Sequence, residues 1–166
     1  MSNFERVEIR DSKDMRNYII EQMHEIMNKA RDKYKELYSV QPTLNAFEHK
    51  ATQRTSMHSL TWLIKEEFSY PIYGRQEAYT GQFRLEKDVF VSIQTKEIKG
   101  DNKAMLRLIT YIEELLPTTF RSHICNEHFN AIDMAYVSEI IFGDNMTSGS
   151  HSACYLKIRC SHTLMK

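Results

Sequence analysis

The clearest pattern of apolar and polar positions lies between residues 77 and 116. Phe83, Leu85, Val89, Val91 and Ile93 fall on positions of one parity, the period-two mark of a half-buried strand or hairpin. Beyond Gly100 the period lengthens. Ala104, Met105, Leu108, Ile109, Ile112, Leu115 and Leu116 recur at three and four, which predicts a helix that starts near Asp101 or Asn102 and stops before Pro117. A two-residue turn at Glu86-Lys87 would set Leu85 opposite Asp88, Glu77 opposite Lys96 and Tyr79 opposite Gln94. That dipeptide lacks the glycine or asparagine of tight hairpins, so a longer loop or one continuous strand stands as the alternative.

The remaining elements follow in chain order. Residues 5–10 alternate as a short strand or extended lead-in. From Asp11 or Ser12, either able to cap a helix, Met15, Ile19, Met23, Ile26, Ala30, Tyr34 and Leu37 trace one helical stripe. Thr43 can cap a second helix carrying Leu44, Phe47 and Ala51, kinked or split by hydroxyl residues at 52–61 and resumed at Leu60, Leu63, Ile64 and Phe68. Beyond Pro117, residues 118–124 read as a short strand. Phe129, Ile132, Tyr136 and Ile140 then space as a helix ending at Gly143, although residues 136–142 alone fit a strand. Residues 144–152 are polar loop, and Cys154, Leu156, Ile158 and Cys160 alternate with Tyr155, Lys157 and Arg159 as a final strand.

Together these elements predict one α+β domain over residues 1–166, a small, mostly antiparallel sheet of three to five strands covered on one face by three or four helices. A hydrophobic fraction of 42% is globular rather than disordered. Lysine plus arginine match aspartate plus glutamate at 22 each, so net charge does not indicate nucleic acid as a partner. The charged N-terminal residues and the lack of a run of about 18 apolar residues argue against a signal peptide and a membrane span. Three cysteines fit a reducing compartment. The expectation is a cytoplasmic chain.

Four groups of residues carry candidate chemistry. All three cysteines and four of seven histidines follow Arg121. Cys125 and His128 have a ligand spacing found in zinc sites, and Cys160 with His162 places two more ligands on one side of a strand. Free cysteine more often packs as a small hydrophobe. The second group is Asp88 with Gln94-Thr95-Lys96 and Glu77. It resembles the PD-(D/E)xK nuclease pattern, which implies a divalent ion held by acids beside a charge-stabilising lysine. Glutamine stands here where the pattern has an acid, and a carboxylate opposite a lysine across a hairpin is first of all a surface ion pair. Trp62, Tyr79 and Phe90 are the third group, the lining of a small-ligand pocket between sheet and helices. The fourth comprises hydroxyl or thiol residues near histidine, Cys125 with His123 or His128 and the serines from Ser148 to Ser152 around His151, without the local signature of a nucleophile. Glycines are scattered singly, which disfavours a phosphate loop.

With balanced charge and no catalytic signature, the expected function is a non-enzymatic binding or regulatory protein without a cofactor. It would act on a protein partner or as a homodimer through its long first helix. A metal-dependent nuclease or hydrolase, with zinc or another divalent ion, and a small-ligand-binding domain are the alternatives.

Overall fold

The computed structural model of the chain describes residues 5–7, 9–47, 58–65, 69–71, 82–96, 103–120, 123–125, 134–142 and 151–165. In chain order these form β1 (Glu5–Val7), α1 (Ser12–Tyr38), β2 (Thr43–Phe47), β3 (Ser59–Lys65), β4 (Ser69–Pro71) and β5 (Gln82–Lys96). There follow α2 (Lys103–Phe120), β6 (His123–Cys125), β7 (Met134–Phe142) and β8 (His151–Met165). The main sheet has the order β2-β3-β5-β8-β7, and β4 pairs β5 where β3 leaves off. All its pairings are antiparallel except the parallel β2–β3 pair. The short strands β1 and β6 pair in parallel as a separate two-stranded sheet.

Local chemistry explains α1. The Asp11 carboxylate accepts the Asp14 backbone N–H at 2.8 Å, and the Asp14 carboxylate reaches back to the Arg10 backbone N–H at 2.9 Å, so each acid satisfies an amide that the helix start leaves over. At the other end Ser39 adopts a left-handed φ of 58° and donates its N–H to the Lys35 carbonyl at 2.8 Å, closing the helix as a glycine usually does. The predicted stripe is the buried one: Met15, Ile19, Met23, Ile26, Ala30 and Tyr34 are wholly hidden.

These side chains meet one face of the sheet. Leu60, Trp62 and Ile64 of β3, Leu85, Val89, Val91 and Ile93 of β5, and Cys154, Leu156, Ile158 and Cys160 of β8 are buried in one cluster with both helices. Register explains the clustering. Leu60 lies opposite Ile93 and Ile93 opposite Cys154; Trp62, Val91 and Leu156 form the next row; Ile64, Val89 and Ile158 the one after. Each fully buried aliphatic side chain contributes roughly 1.5–3 kcal/mol of transfer free energy, which is set against the entropy of ordering it. Among the described residues no helix is long and apolar enough to cross a membrane.

The α+β class stands, but three or four helices do not. The described residues hold two helices, and six strands join the mixed main sheet. Residues expected in a helix from Thr43 supply β2 and β3 instead. Leu60, Leu63 and Ile64 fit a helical stripe, yet Leu60, Trp62 and Ile64 fit a strand, and the β-branched and aromatic side chains of Thr61, Trp62 and Ile64 favour the pleated form. The helix expected around residues 126–140 is β7 where the chain is described, for the same reason at Tyr136, Val137, Ile140, Ile141 and Phe142. No turn interrupts residues 86–87. β5 runs unbroken for 15 residues, and Lys87 takes the position in the apolar alternation between Leu85 and Val89, buried with them. A long stem lets lysine occupy such a site.

The helix α2 also outruns its expected end. It passes through Pro117 to Phe120, which is buried and whose carbonyl accepts the Tyr18 hydroxyl at 3.0 Å. Proline has no N–H for the carbonyl four residues back. The orphaned carbonyl is that of Glu113; the Thr118 hydroxyl donates instead to the Leu115 and Glu114 carbonyls, at 3.1 and 3.4 Å. Replacing Pro117 with alanine should restore one backbone hydrogen bond and remove the ring clash. We expect stabilisation of about 2 kcal/mol after the added freedom of the unfolded chain is discounted. Equilibrium unfolding in urea measures it, and a neutral or destabilising result would place the helix end before residue 117.

Candidate interaction surface

The acidic group is dispersed by the unbroken strand. Asp88 and Gln94 share the face of β5 opposite the helices, six residues apart, or about 20 Å along a strand. Gln94 lies opposite Ser59 and Ala153, and Lys96 opposite His151. Glu77 lies outside the described residues. The Asp88 carboxylate is occupied in another way: Arg159, directly across on β8, grips it through Nε at 3.0 Å and an Nη at 3.2 Å, and the Lys157 ammonium stands 3.6 Å away. Burial pushes the Asp88 carboxyl up, but the Arg159 hydrogen bonds and the charges of Arg159 and Lys157 outweigh it and hold the group below its ordinary value. A carboxylate already neutralised by two cations is a strut across the sheet rather than an ion ligand.

The cysteine and histidine group is described only in part. Cys160 and His162 lie on the helix-facing side of β8, both buried, opposite Lys87 and Leu85. Cys125 is on β6 of the separate small sheet, and His128 lies outside the described residues. Burial, with a lesser push from the Asp88 charge, raises the Cys160 thiol to about 12, and burial raises Cys154 to about 11. Both stay as thiols at neutral pH, the form that neither attacks nor ligates. Among the described residues no group of three or more histidine, cysteine or acidic side chains is placed to hold a metal ion.

The pocket residues fall on opposite sides. Trp62 is buried beneath α1, its ring 5.2 Å edge-on from that of His24, whereas Phe90 lies on the outer face with the Lys65 ammonium 5.9 Å from its ring. Adjacent strand positions always divide this way: Trp62 pairs with Val91, not Phe90. Tyr79 lies outside the described residues. A groove of about 320 Å³ occurs elsewhere, lined by Lys33 of α1 and Leu106, Arg107, Thr110, Tyr111 and Glu114 of α2.

Sequence reasoning missed a polar knot at the far end of the sheet. The buried Tyr34 hydroxyl donates to the Gln94 carbonyl at 2.9 Å, and His58 Nδ1 lies 2.6 Å from the same oxygen. The Tyr34 oxygen thus joins the Gln94 carbonyl and the His58 imidazole. Burial raises the Tyr34 hydroxyl far above its ordinary value, so it remains a donor. Tyr34 was legible as a core position, but nothing local paired it with His58, 24 residues away.

A different feature is open to a partner. Tyr136, Ile140, Ile141 and Phe142 of β7 and the adjoining Tyr155 of β8 are 41–54% exposed. β7 ends the sheet order, and among the described residues no strand pairs its outer edge. A bulge between Val137 and Glu139 shifts the register, and the Ser138 hydroxyl donates to the Lys157 carbonyl at 3.1 Å. Beyond the bulge Ile140 and Phe142 lie opposite Leu156 and Cys154, on the helix side, while Ile141 lies opposite Tyr155 on the other. By contrast the exposed positions of α1, among them Glu21, Glu25, Lys29, Asp32 and Glu36, are polar and partly self-paired, with Lys29 to Glu25 at 3.2 Å. The outer sheet face balances Lys65, Arg84, Lys157 and Arg159 against Glu86, Asp88 and Glu139. The run of β-branched and aromatic residues at 136–142 was the sequence signal for this edge. No protein-family model matches the chain, and no curated protein matches it in sequence.

The Asp88 strut has a definite pH signature. Its carboxyl titrates lower in the folded than in the unfolded chain, so the stabilisation is fully present above the unfolded value of about 3.9 and is lost as pH falls through the folded one. Asp88→Asn should cost about 1.5–3 kcal/mol at neutral pH, the range for hydrogen bonds to a charged group. Chemical denaturation at a series of pH values should show the gap between variant and native chain closing in acid; a gap independent of pH would refute the ionic role.

Proposed function

We propose that this chain is a non-enzymatic binding or regulatory protein that works through a protein partner, which can be a second copy of itself, engaged at the β7 edge. The carrying observation is the coincidence of a strand edge that no strand pairs among the described residues with exposed Tyr136, Ile140, Ile141, Phe142 and Tyr155. An unpaired edge strand accepts an extended segment by completing the ladder, and side chains beside it select which segment. The exposed apolar side chains flank the edge on both faces, Ile140 and Phe142 on the helix side and Tyr136, Ile141 and Tyr155 on the other. A cytoplasmic setting accords with the free thiols of Cys154 and Cys160 and with the balanced charge.

The chemistry of the other candidate groups lends less support to catalysis. Asp88 is neutralised by Arg159 and Lys157, and the Cys160 thiol is buried. A displayed library of random peptides panned against the purified chain tests the binding reading. Enriched sequences should be extended and apolar, and a double variant Ile141→Glu, Phe142→Glu, folded by circular dichroism, should bind them at least tenfold more weakly. Peptides that bind the variant and native chain equally would overturn the assignment of this edge.

A further inference from the structure

Resting on the proposed function, we infer that the occupant of the β7 edge is an extended segment of a different protein, apolar at three consecutive positions and basic at the adjoining one, so that its cation stands opposite Glu139. Two observations lead there. The first is the composition of the two rows that β7 presents. Its register with β8 puts Ala135, Val137, Ile140 and Phe142 on the helix side, and Tyr136, Glu139 and Ile141 on the other. A strand with one solvated face alternates apolar with polar positions, whereas a strand covered on both faces reads as a nearly continuous apolar run. Beyond its bulge β7 is of the second kind: Ile140, Ile141 and Phe142 are apolar in succession, yet 41–54% exposed.

Opposed residues on neighbouring strands share a face, their Cβ atoms about 4.5–5.5 Å apart. A strand laid along these three positions therefore meets apolar side chains on both of its own faces. A segment that alternates would set polar side chains against Ile140 and Phe142, or against Ile141, and forgo part of the burial that drives association.

The second observation is charge. Glu139 is the one charged residue of β7. Lys157 lies opposite it on β8, but the Lys157 ammonium stands 3.6 Å from Asp88, and Glu139 makes no ion pair among the described residues. The edge thus has a direction, an acid followed by three apolar residues. A cation opposite Glu139 on an added strand stabilises the pair and a carboxylate there destabilises it. The matching segment reads base-apolar-apolar-apolar where it runs parallel to β7, and the reverse where it runs antiparallel. A second copy does not supply it, since its own β7 carries an acid beside the apolar run.

Panning a displayed library of random peptides, each matching the nine residues of β7 in length, reads the motif directly. Enriched peptides should carry lysine or arginine next to three apolar residues. A synthetic copy of one such peptide should bind about threefold more weakly with alanine in place of its base, and about tenfold more weakly with glutamate there. A Glu139→Lys chain, folded by circular dichroism, should reverse that order, and about 1 M sodium chloride should erase it. Enriched peptides that alternate apolar with polar residues overturn the proposal, as does a base whose replacement changes nothing or a preference that Glu139→Lys leaves as it was. In those cases binding that Ile141→Glu weakens still upholds the edge as the binding site. Peptides indifferent to Ile141→Glu, or none enriched at all, reject the edge and this proposal with it. Light scattering that gives twice the 19.7 kDa chain mass, returned to the monomer by Ile141→Glu, makes the occupant a second copy and likewise overturns it.

Discussion

Fifteen consecutive residue pairs between β5 and β8, from Gln82 opposite Met165 to Lys96 opposite His151, are the constraint from which the rest of this molecule follows. Strands of average length hold five or six residues, so this ladder spans about three times the usual distance, on the order of 50 Å. Its length locks parity. A slip of one residue would turn every buried side chain of one strand outward, exchanging Val89, Val91 and Ile93 for Asp88, Phe90 and Ser92 beneath the helices. Three further strands are built directly on it: β3 and β4 share one edge of β5, and β7 lies along β8.

The helices roof the middle of this ladder, and buried polar side chains join the helix-facing rows away from that middle. Between Val89 and Ile93, and between Cys154 and Ile158, the helix-facing positions are apolar and hidden. At one end Thr95 stands beside the Tyr34 and His58 pair, and at the other Lys87 and His162 occupy positions of the same parity. Polar groups buried at the margin of a core are stable when hydrogen-bonded, and the 27 residues of α1 bring the Tyr34 hydroxyl to the Gln94 carbonyl. The opposite face is held by charge: Asp88 ties β5 to β8 through Arg159 and Lys157. Two different physical devices thus clamp the same strand pair from its two sides.

How much of this was legible in the chain depended on whether the determining contacts were local. α1 could be read because capping at Asp11 and the spacing from Met15 to Tyr34 act within a few residues. The final strand could be read because Cys154 to Cys160 alternate without exception. The centre of β5 could be read only as one of several alternatives, a continuous strand among them, since the charged tract at 86–88 looks like a turn until β8 supplies Arg159 for Asp88 and a place opposite Cys160 for Lys87. Leu60, Leu63 and Ile64 satisfied two periods at once, and only the neighbours Val89 to Ile93 decide between them. Two of the proposed pairs lie apart for a related reason. Spacing along a strand fixes a face but not the distance across a fold, so Trp62 and Phe90 separated to opposite sides and Asp88 and Gln94 remained far apart.

The two edges of the main sheet are finished differently, and the difference bears on what the molecule does. β2 is five residues long, and among its described side chains the exposed ones are those of Thr43 and Ala46. β7 is nine residues long and carries one charge. Sheet proteins that remain solitary blunt their edges with charges, prolines or bulges. β7 has its bulge and its charge together at Ser138 and Glu139, and these interrupt the first part of the strand while Ile140, Ile141 and Phe142 continue beyond them unguarded. Had the bulge been absent, Tyr136 and Ile140 would lie on the same face as one flat apolar row, open to any register. With it, the exposed isoleucines and phenylalanine form a short segment of fixed parity, which restricts docking to a strand that can match that parity.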